Sequence, residues 1–388
     1  VEDAYLESQT PRYVRPGGDM IWWSERSGFG HLYLYAHDGT YKRPLTAGSW
    51  RVEGIAEVDS VRGVVWVNGV GREPNENPYY RHLYRVNGDG SGFALVDAGN
   101  ATHATTLSPS KRYVVDTYSR VDAVPRSVLR DATGRVVREL ETMDVSRLRE
   151  MGWRMPTTFV VKAADGITDI YGNMWRPFDF DSTRRYPIVA HVYPGPQTEQ
   201  VVPGFTATAT QQQLAQLGFV VIQIGNRGGS PQRSNAYHSY GYYNLRDYAL
   251  ADKKAGIEQL AARHPWIDIE RVGIYGHSGG GFLTAAALLQ PPYNDFFKVG
   301  VASAGNHDNN IYNQNWSEQH HGLRVRPRTQ SDSARARRRG TIAGSGGDGD
   351  AARPDSASAA SVRYEIRVPT NAELAHNLRG RLLLTHGD

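Results

Sequence analysis

The chain has 388 residues, 39% of them hydrophobic and 22% charged, with a formal net charge of +4. These are the proportions of an ordinary globular protein with length enough for two cored domains. The absence of cysteine excludes disulfides, thiolate chemistry and Cys-based zinc sites, and no apolar run approaches the roughly 20 residues that cross a bilayer. Residues 324–360 hold eight Arg and four Asp, so the whole charge excess is local. The remainder is neutral and offers no basic face for nucleic acid.

The first residues, VEDAYLESQTPRY, lack an initiator Met and the basic and apolar regions of a signal peptide. The chain therefore reads as a piece of something longer, which leaves room for a removed targeting segment. Up to about residue 150, short alternating runs (MIWWSE, HLYLYA, GVVWVNG) are separated by Asp-Gly, Asn-Gly and Gly-rich turns, the pattern of half-buried strands. HLYLYAHDG at 31–39 is echoed by HLYRVNGDG at 82–90, an offset of 51 residues. Each unit is a strand closed by an Asp-Gly turn. The spacing suits four-stranded propeller blades, the alternative being two unrelated hairpins. Two or three blades do not close a ring, so further blades are expected upstream.

Residues 140–156 link this region to a different pattern. TFVVKAADG and TDIYGNMWRP read as entry strands. They are followed by YPIVAHVYPGP (186–196), GFVVIQIGN (218–226), RVGIYGHS (271–278), KVGVASAG (298–305) and GRLLLTHGD (380–388). Such Val- and Ile-rich runs fill parallel sheets buried on both faces. Helical patterns lie between them, in TATQQQLAQL, LRDYALADKKAGIEQLAARH and GGFLTAAALLQ, so the second half is expected to be a doubly wound, mostly parallel α/β sheet. We place the domains at 1–150 and 151–388. Residues 324–360, rich in Arg, Gly, Asp, Ala and Ser without apolar periodicity, read as a disordered insertion or as an error in the sequence. Pattern returns at YEIRVP (364–369) and in the helix-like AELAHNL.

Gly276-His277-Ser278-Gly279-Gly280 is a G-x-S-x-G pentapeptide between a strand run and a helix run. That is the context of a nucleophile elbow, in which Ser278 sits at the apex of a sharp turn and the flanking glycines prevent collisions. The helix N-terminus behind it directs N–H groups at developing negative charge. His277 adjoins Ser278, but neighbours on such a turn point in different directions, and it reads as a wall residue.

From about residue 24 onward the chain resembles the dipeptidyl peptidase IV branch of the prolyl oligopeptidase family. The stretches that carry the resemblance are SERSGFGHLYLY, SPSKRYVVDTYSRVD, VKAADGITDIYGNMWRP, YPIVAHVYPGPQ, NRGGSPQRSNAYHSYGYYNLRDYALADKKAGIEQL, GIYGHSGGG and LLLTHGD. The resemblance implies all-β propeller blades, here only part of a ring, followed by an α/β-hydrolase domain with Ser278 as nucleophile. The Tyr193 hydroxyl and the Gly279 N–H would form the oxyanion hole, although an aromatic at a strand end also serves as core packing. In the family the triad Asp stands four residues after the His of a His-Gly pair, matched here by His386-Gly387. The triad Asp and His are therefore expected beyond Asp388, and the glutamate pair that captures the substrate's amino group before Val1.

Tyr312 and Trp316 are candidate walls of the substrate pocket. The asparagines and His307 around them make it more polar than a proline slot, which puts strict post-proline cleavage in question. His307, Asp308, His320 and His321 match no standard metal spacing, and no cofactor is called for. The resemblance implies an exopeptidase releasing di- or tripeptides from peptide N-termini. An oligopeptidase, acylaminoacyl-peptidase or esterase on the same scaffold is the second reading, and a non-catalytic binding protein the third. The present stretch alone is expected to be inactive. Peptide substrates, a homodimer, and a periplasmic or secreted location, with the cytoplasm left open, follow from the resemblance alone.

Overall fold

The computed structural model describes residues 10–14, 17–312, 316, 320, 324–327, 362–365 and 367–387. The first part consists of three four-stranded antiparallel meanders. They contain β1 (Arg12–Tyr13), β2 (Met20–Ser24), β3 (His31–Tyr35) and β4 (Tyr41–Pro44); then β5 (Arg51–Asp59), β6 (Val64–Val70), β7 (Arg81–Asn87) and β8 (Ala94–Leu95); then β9 (Thr102–Leu107), β10 (Tyr113–Arg120), β11 (Ala123–Asp131) and β12 (Val136–Thr142). The echoed segments are β3 and β7, each the third strand of its sheet. Their turns are built alike. Gly39 and Gly90 both take φ +86°, a conformation that glycine adopts without strain. The aspartates before them accept the N–H of Thr40 and of Ser91, each at 2.9 Å. The start of each strand is also tied alike, with Leu32 N–H donating to Thr46 Oγ1 and Leu83 N–H to Asp97 Oδ2. Trp50 packs with Leu32, Val67 and Tyr84 in the core shared by the first two sheets.

A buried ionic seam joins the second and third sheets. His82 lies between Asp97 and Glu76 at 3.0 Å each. Its ring is 4.8 Å from that of His103, which bonds Asp116 at 2.9 Å. Arg130 closes the series by donating to Asp116 at 2.8 Å.

After α1 (Ser146–Glu150), one seven-stranded sheet takes the chain to its end. It is formed by β13 (Thr157–Lys162), β14 (Asp169–Trp175), β15 (Tyr186–His191), β16 (Val220–Ile224), β17 (Ile267–His277), β18 (Val299–Ser303) and β21 (Arg381–Thr385), in the order β13-β14-β16-β15-β17-β18-β21. β13 and β14 pair antiparallel and β14 meets β16 antiparallel; the other pairings are parallel. The helices between strands are α2 (Thr210–Ala215), α3 (Asn235–His238), α4 (Leu250–Arg263), α5 (Gly279–Leu289) and α6 (Tyr293–Phe296). α4 and α5 bury Leu250, Ile257, Leu260, Leu283 and Ala286 against Ile188, Ile222 and Ile274. On the opposite face Ala215 of α2 packs with Val221, Trp175 and Val121, the last from the β10–β11 turn.

Three expectations need correction. β16 is buried along its whole length, but Val299 and Val301 of β18 and Leu383 of β21 are exposed. Among the described residues, α5 packs against both strands and leaves these side chains uncovered. AELAHNL forms turns and a single 3₁₀ turn at Ala375–Asn377. It buries no apolar stripe, and a helix so short needs one. At the start of the segment read as an insertion, β19 (Arg324–Pro327) pairs antiparallel with β20 (Val362–Glu365), which lies just beyond that segment; residues 328–361 lie outside the described residues.

The seam makes stability depend on pH. Burial disfavours the His82 cation, but Asp97 and Glu76 outweigh it and raise the pKa above 6.5. A charged His82 therefore stabilises the fold fully below pH 6.5, and this contribution disappears as pH rises through the higher folded value. In urea unfolding, the stability gap between the wild type and His82→Gln should be widest at pH 6 and narrow toward pH 9.

Candidate active site

β17 runs directly into α5, and Ser278 is the residue between them. Its backbone sits at φ 55°, ψ −119°, a region that costs a non-glycine residue about 1–3 kcal/mol. Two backbone bonds hold it there: Ser278 N–H donates to Ser303 O at 2.8 Å, and Phe282 N–H donates to Ser278 O at 3.0 Å. The flanking glycines are sterically compelled. A Cβ at Gly276 would lie 2.5 Å from the Val192 carbonyl oxygen, and one at Gly280 only 2.2 Å from it. The residue just past β15 thus lies so close to the elbow that no side chain fits at either position.

Val192 leads into Tyr193. A Cβ on Gly279 would meet Tyr193 Cζ at 3.0 Å and its hydroxyl at 3.1 Å, so the phenol stands beside the residue that follows Ser278. The backbone after Tyr193 is held firmly. Pro194 O accepts from Asn226 Nδ2 at 2.9 Å and from the Tyr248 hydroxyl at 2.8 Å. Pro196 O accepts from His238 Nε2 at 2.8 Å. Burial lowers the His238 pKa to about 3, so this ring stays neutral.

Ser278, Gly279 and Tyr193 border a small cavity of about 100 Å³, together with Tyr312, Trp316, Phe282, Arg246 and Asn309. Tyr312 and Trp316 meet edge to face with centroids 5.4 Å apart. Asn306 donates to Asn309, and Asn309 donates to Leu245 O. Arg246 bonds Gln290 and Asp247 at 2.8 Å each. The cavity therefore combines an aromatic wall with a polar one. His277 is on the other side of the strand, exposed, with Nδ1 3.0 Å from Ser303 Oγ. His386 is exposed and bonds Gly387 O, while Asp388 lies outside the described residues.

The histidines near residue 307 do not gather into a cluster. His307 bonds Asn371 and His320 packs against Trp316; His321 lies outside the described residues. Among the described residues, His82, Asp97 and His103 do bring ligand atoms within 4.8 Å of one another. Both nitrogens of each of these rings already have hydrogen-bond partners, and Arg130 holds the neighbouring Asp116. Also among the described residues, no helix is long and apolar enough to cross a membrane.

Sequence reasoning did not identify Asn226, Tyr248, Arg246 or Glu199. Asn226 follows a strand in a run rich in glycine, which is a turn signal but carries no sign of which loop it fixes.

β-Blades followed by a parallel sheet with a serine at the strand–helix elbow define an α/β-hydrolase with an N-terminal β-blade region. Family models match in the same order: the dipeptidyl peptidase IV N-terminal region over residues 1–125 and the prolyl oligopeptidase family over residues 205–337. Over these two stretches the chain is similar to the prolyl oligopeptidase family and to its dipeptidyl peptidase IV-like branch. Human dipeptidyl peptidase 8 is 29% identical over 324 residues, covering 74% of this chain and 35% of that protein. A candidate dipeptidyl aminopeptidase IV from Bacteroides ovatus superposes with a TM-score of 0.76 at 25% identity, over 100% of this chain and 52% of its own. Porphyromonas gingivalis dipeptidyl peptidase 4, at 24% identity and a TM-score of 0.74 over 97% of this chain and 47% of its own, shares the fold. The chain thus spans about a third of the curated relative and about half of each solved structure.

The contact at Val192 yields a stability test. Gly280→Ala places a methyl group 2.2 Å from a carbonyl oxygen, and overpacking of this kind costs about 1–3 kcal/mol or more. Its urea midpoint should fall clearly below that of the wild type. An unchanged midpoint would mean that the strand and elbow are not in contact.

Proposed function

We propose that this chain is part of a serine exopeptidase that releases di- or tripeptides from peptide N-termini through an acyl-enzyme on Ser278. The observation that carries the proposal is the placement of the Tyr193 hydroxyl beside Gly279, the first residue of α5, immediately after Ser278. A phenol O–H and a backbone N–H converging beside a nucleophile are the donors that acyl transfer needs. Names of relatives support the dipeptidyl class.

In this reading Ser278 Oγ attacks the scissile carbonyl carbon as its proton passes to a histidine base. The carbonyl oxygen becomes an oxyanion that accepts from Tyr193 and Gly279. Collapse of the intermediate breaks the C–N bond, and the base returns the proton to the leaving amine. Water then hydrolyses the ester and frees Ser278. His277 is not that base, because its ring is turned to Ser303. By the family's order of Ser, Asp and His, the orienting carboxylate and the base belong to residues after Asp388. Tyr312 and Trp316 wall the pocket for the residue before the cleaved bond, and Asn306, Asn309 and Arg246 add polarity. The division near residue 150 belongs to the same proposal. It is supported by the gap between β12, which ends at Thr142, and β13, which begins at Thr157.

The full-length protein should be labelled by a fluorophosphonate, and Ser278→Ala should not be. Equal labelling of the two would overturn the nucleophile assignment. Tyr193→Phe should lower kcat on the order of 10²–10³-fold with little change in Tm. A panel of Xaa-Pro, Xaa-Ala and N-acetylated chromogenic peptides identifies the substrate class, because an exopeptidase of this kind should reject the acetylated members.

A further inference from the structure

Glu199 lies six positions beyond Tyr193 and is 3% exposed. Burial raises its pKa, opposed by bonds from Tyr79, Tyr237 and Asn226 and by the charge of Arg233. Its Oε2 accepts the Tyr237 hydroxyl at 2.8 Å and the Asn226 N–H at 3.1 Å. The second hydroxyl of the group is not from the hydrolase sheet. Tyr79 stands on the connection between β6 and β7, in the second blade; its hydroxyl lies 3.5 Å from that of Tyr237, which in turn donates to the carboxylate. Arg233 covers the group, with its guanidinium 4.5 Å from the Tyr237 ring centroid, and donates to the Tyr79 hydroxyl at 3.4 Å and to Asp169 O at 3.2 Å.

A buried carboxylate is an expensive way to fill a core, since desolvating it costs several kcal/mol before any bond is made. Its place in the chain gives it a use. The segment from Tyr193 to Glu199 is packed against the turn at 225–229 without slack. A Cβ at Gly195 would lie 2.5 Å from Gly228 O, and one at Gly229 would lie 2.5 Å from Glu199 Cβ. A shift of Glu199 is therefore passed along a stiff backbone to Tyr193.

We propose that Glu199 and Tyr79 are positioning residues for the Tyr193 hydroxyl: Glu199 clamps the 193–199 segment onto the 225–229 turn, and Tyr79 makes the second blade part of the clamp. The inference rests on the reading of Tyr193 as an oxyanion donor. Neighbouring contacts seat the same surfaces: Asn235 N–H donates to Gly28 O at 2.8 Å, and Gln232 Nε2 donates to Glu53 Oε1 at 2.5 Å. The blade thereby sets the geometry of a site to which it contributes no reacting atom.

The test is a double-mutant cycle in the full-length protein with Ala-Pro- and Ala-Ala-p-nitroanilide. Tyr79→Phe keeps the ring on Tyr171, 5.9 Å away edge to face, and removes only the hydroxyl. It should lower kcat on the order of 10-fold, as a displaced catalytic donor does, with KM within about twofold. In a Tyr193→Phe background the same change should cost nothing further. Glu199→Gln should behave in the same way, and this second variant reads the coupling even where the first is poorly folded. Wild-type kcat in both Tyr79→Phe and Glu199→Gln, or losses that multiply with that of Tyr193→Phe, would overturn the inference. Wild-type kcat in Tyr193→Phe itself would instead remove the reading on which it rests.

Discussion

The carbonyl oxygen of Val192 is the point on which the site depends. Two glycines, Gly276 and Gly280, approach it so closely that neither could carry a Cβ. This contact fixes the end of β15 against the turn from β17 into α5. The next residue is Tyr193, whose phenol stands beside Gly279. The strained backbone of Ser278 is sustained by the same close packing, because a relaxed turn would drive the helix into the strand.

Around this contact the restraints are polar and buried. Asn226 and Tyr248 hold Pro194, His238 holds Pro196 and Glu199 holds Asn226. The strand-end loops at 193–199 and 225–229 are thereby locked to one another. Loops at the carboxyl ends of parallel strands are where α/β folds place their chemistry, and here those loops are stiff.

Much of the fold could be read from the chain. The period-two strands, the Asp-Gly echo at a spacing of 51 residues and the switch to Val-Ile runs alternating with helical patterns each express a local rule, and the structure follows them. The pentapeptide at Ser278 was legible for the same reason, since its glycines record a steric need within a few residues. What escaped was non-local. Glu199 looks like a loop acid until Tyr79, 120 positions earlier, is seen against it. The open face of β18 was hidden too, because an apolar run states that a strand can be covered and not whether it is. AELAHNL was misread since helical composition says nothing about burial, and this segment has no apolar face to bury.

The meander topology of the blades also bears on how the molecule is assembled. Each blade closes through hairpins between neighbouring strands, contacts that are short in sequence and form quickly. The hydrolase sheet must instead bring β15 beside β17 and β18 beside β21, across the long stretches of chain between Ser303 and Arg381 and between His191 and Ile267. During synthesis the blades emerge first and have time to close while the later strands are still being made. The second blade, which carries Tyr79, is then made before the segment bearing Tyr193 has a sheet to belong to. The order of the two halves along the chain thus lets the faster-folding one serve as a template for the slower.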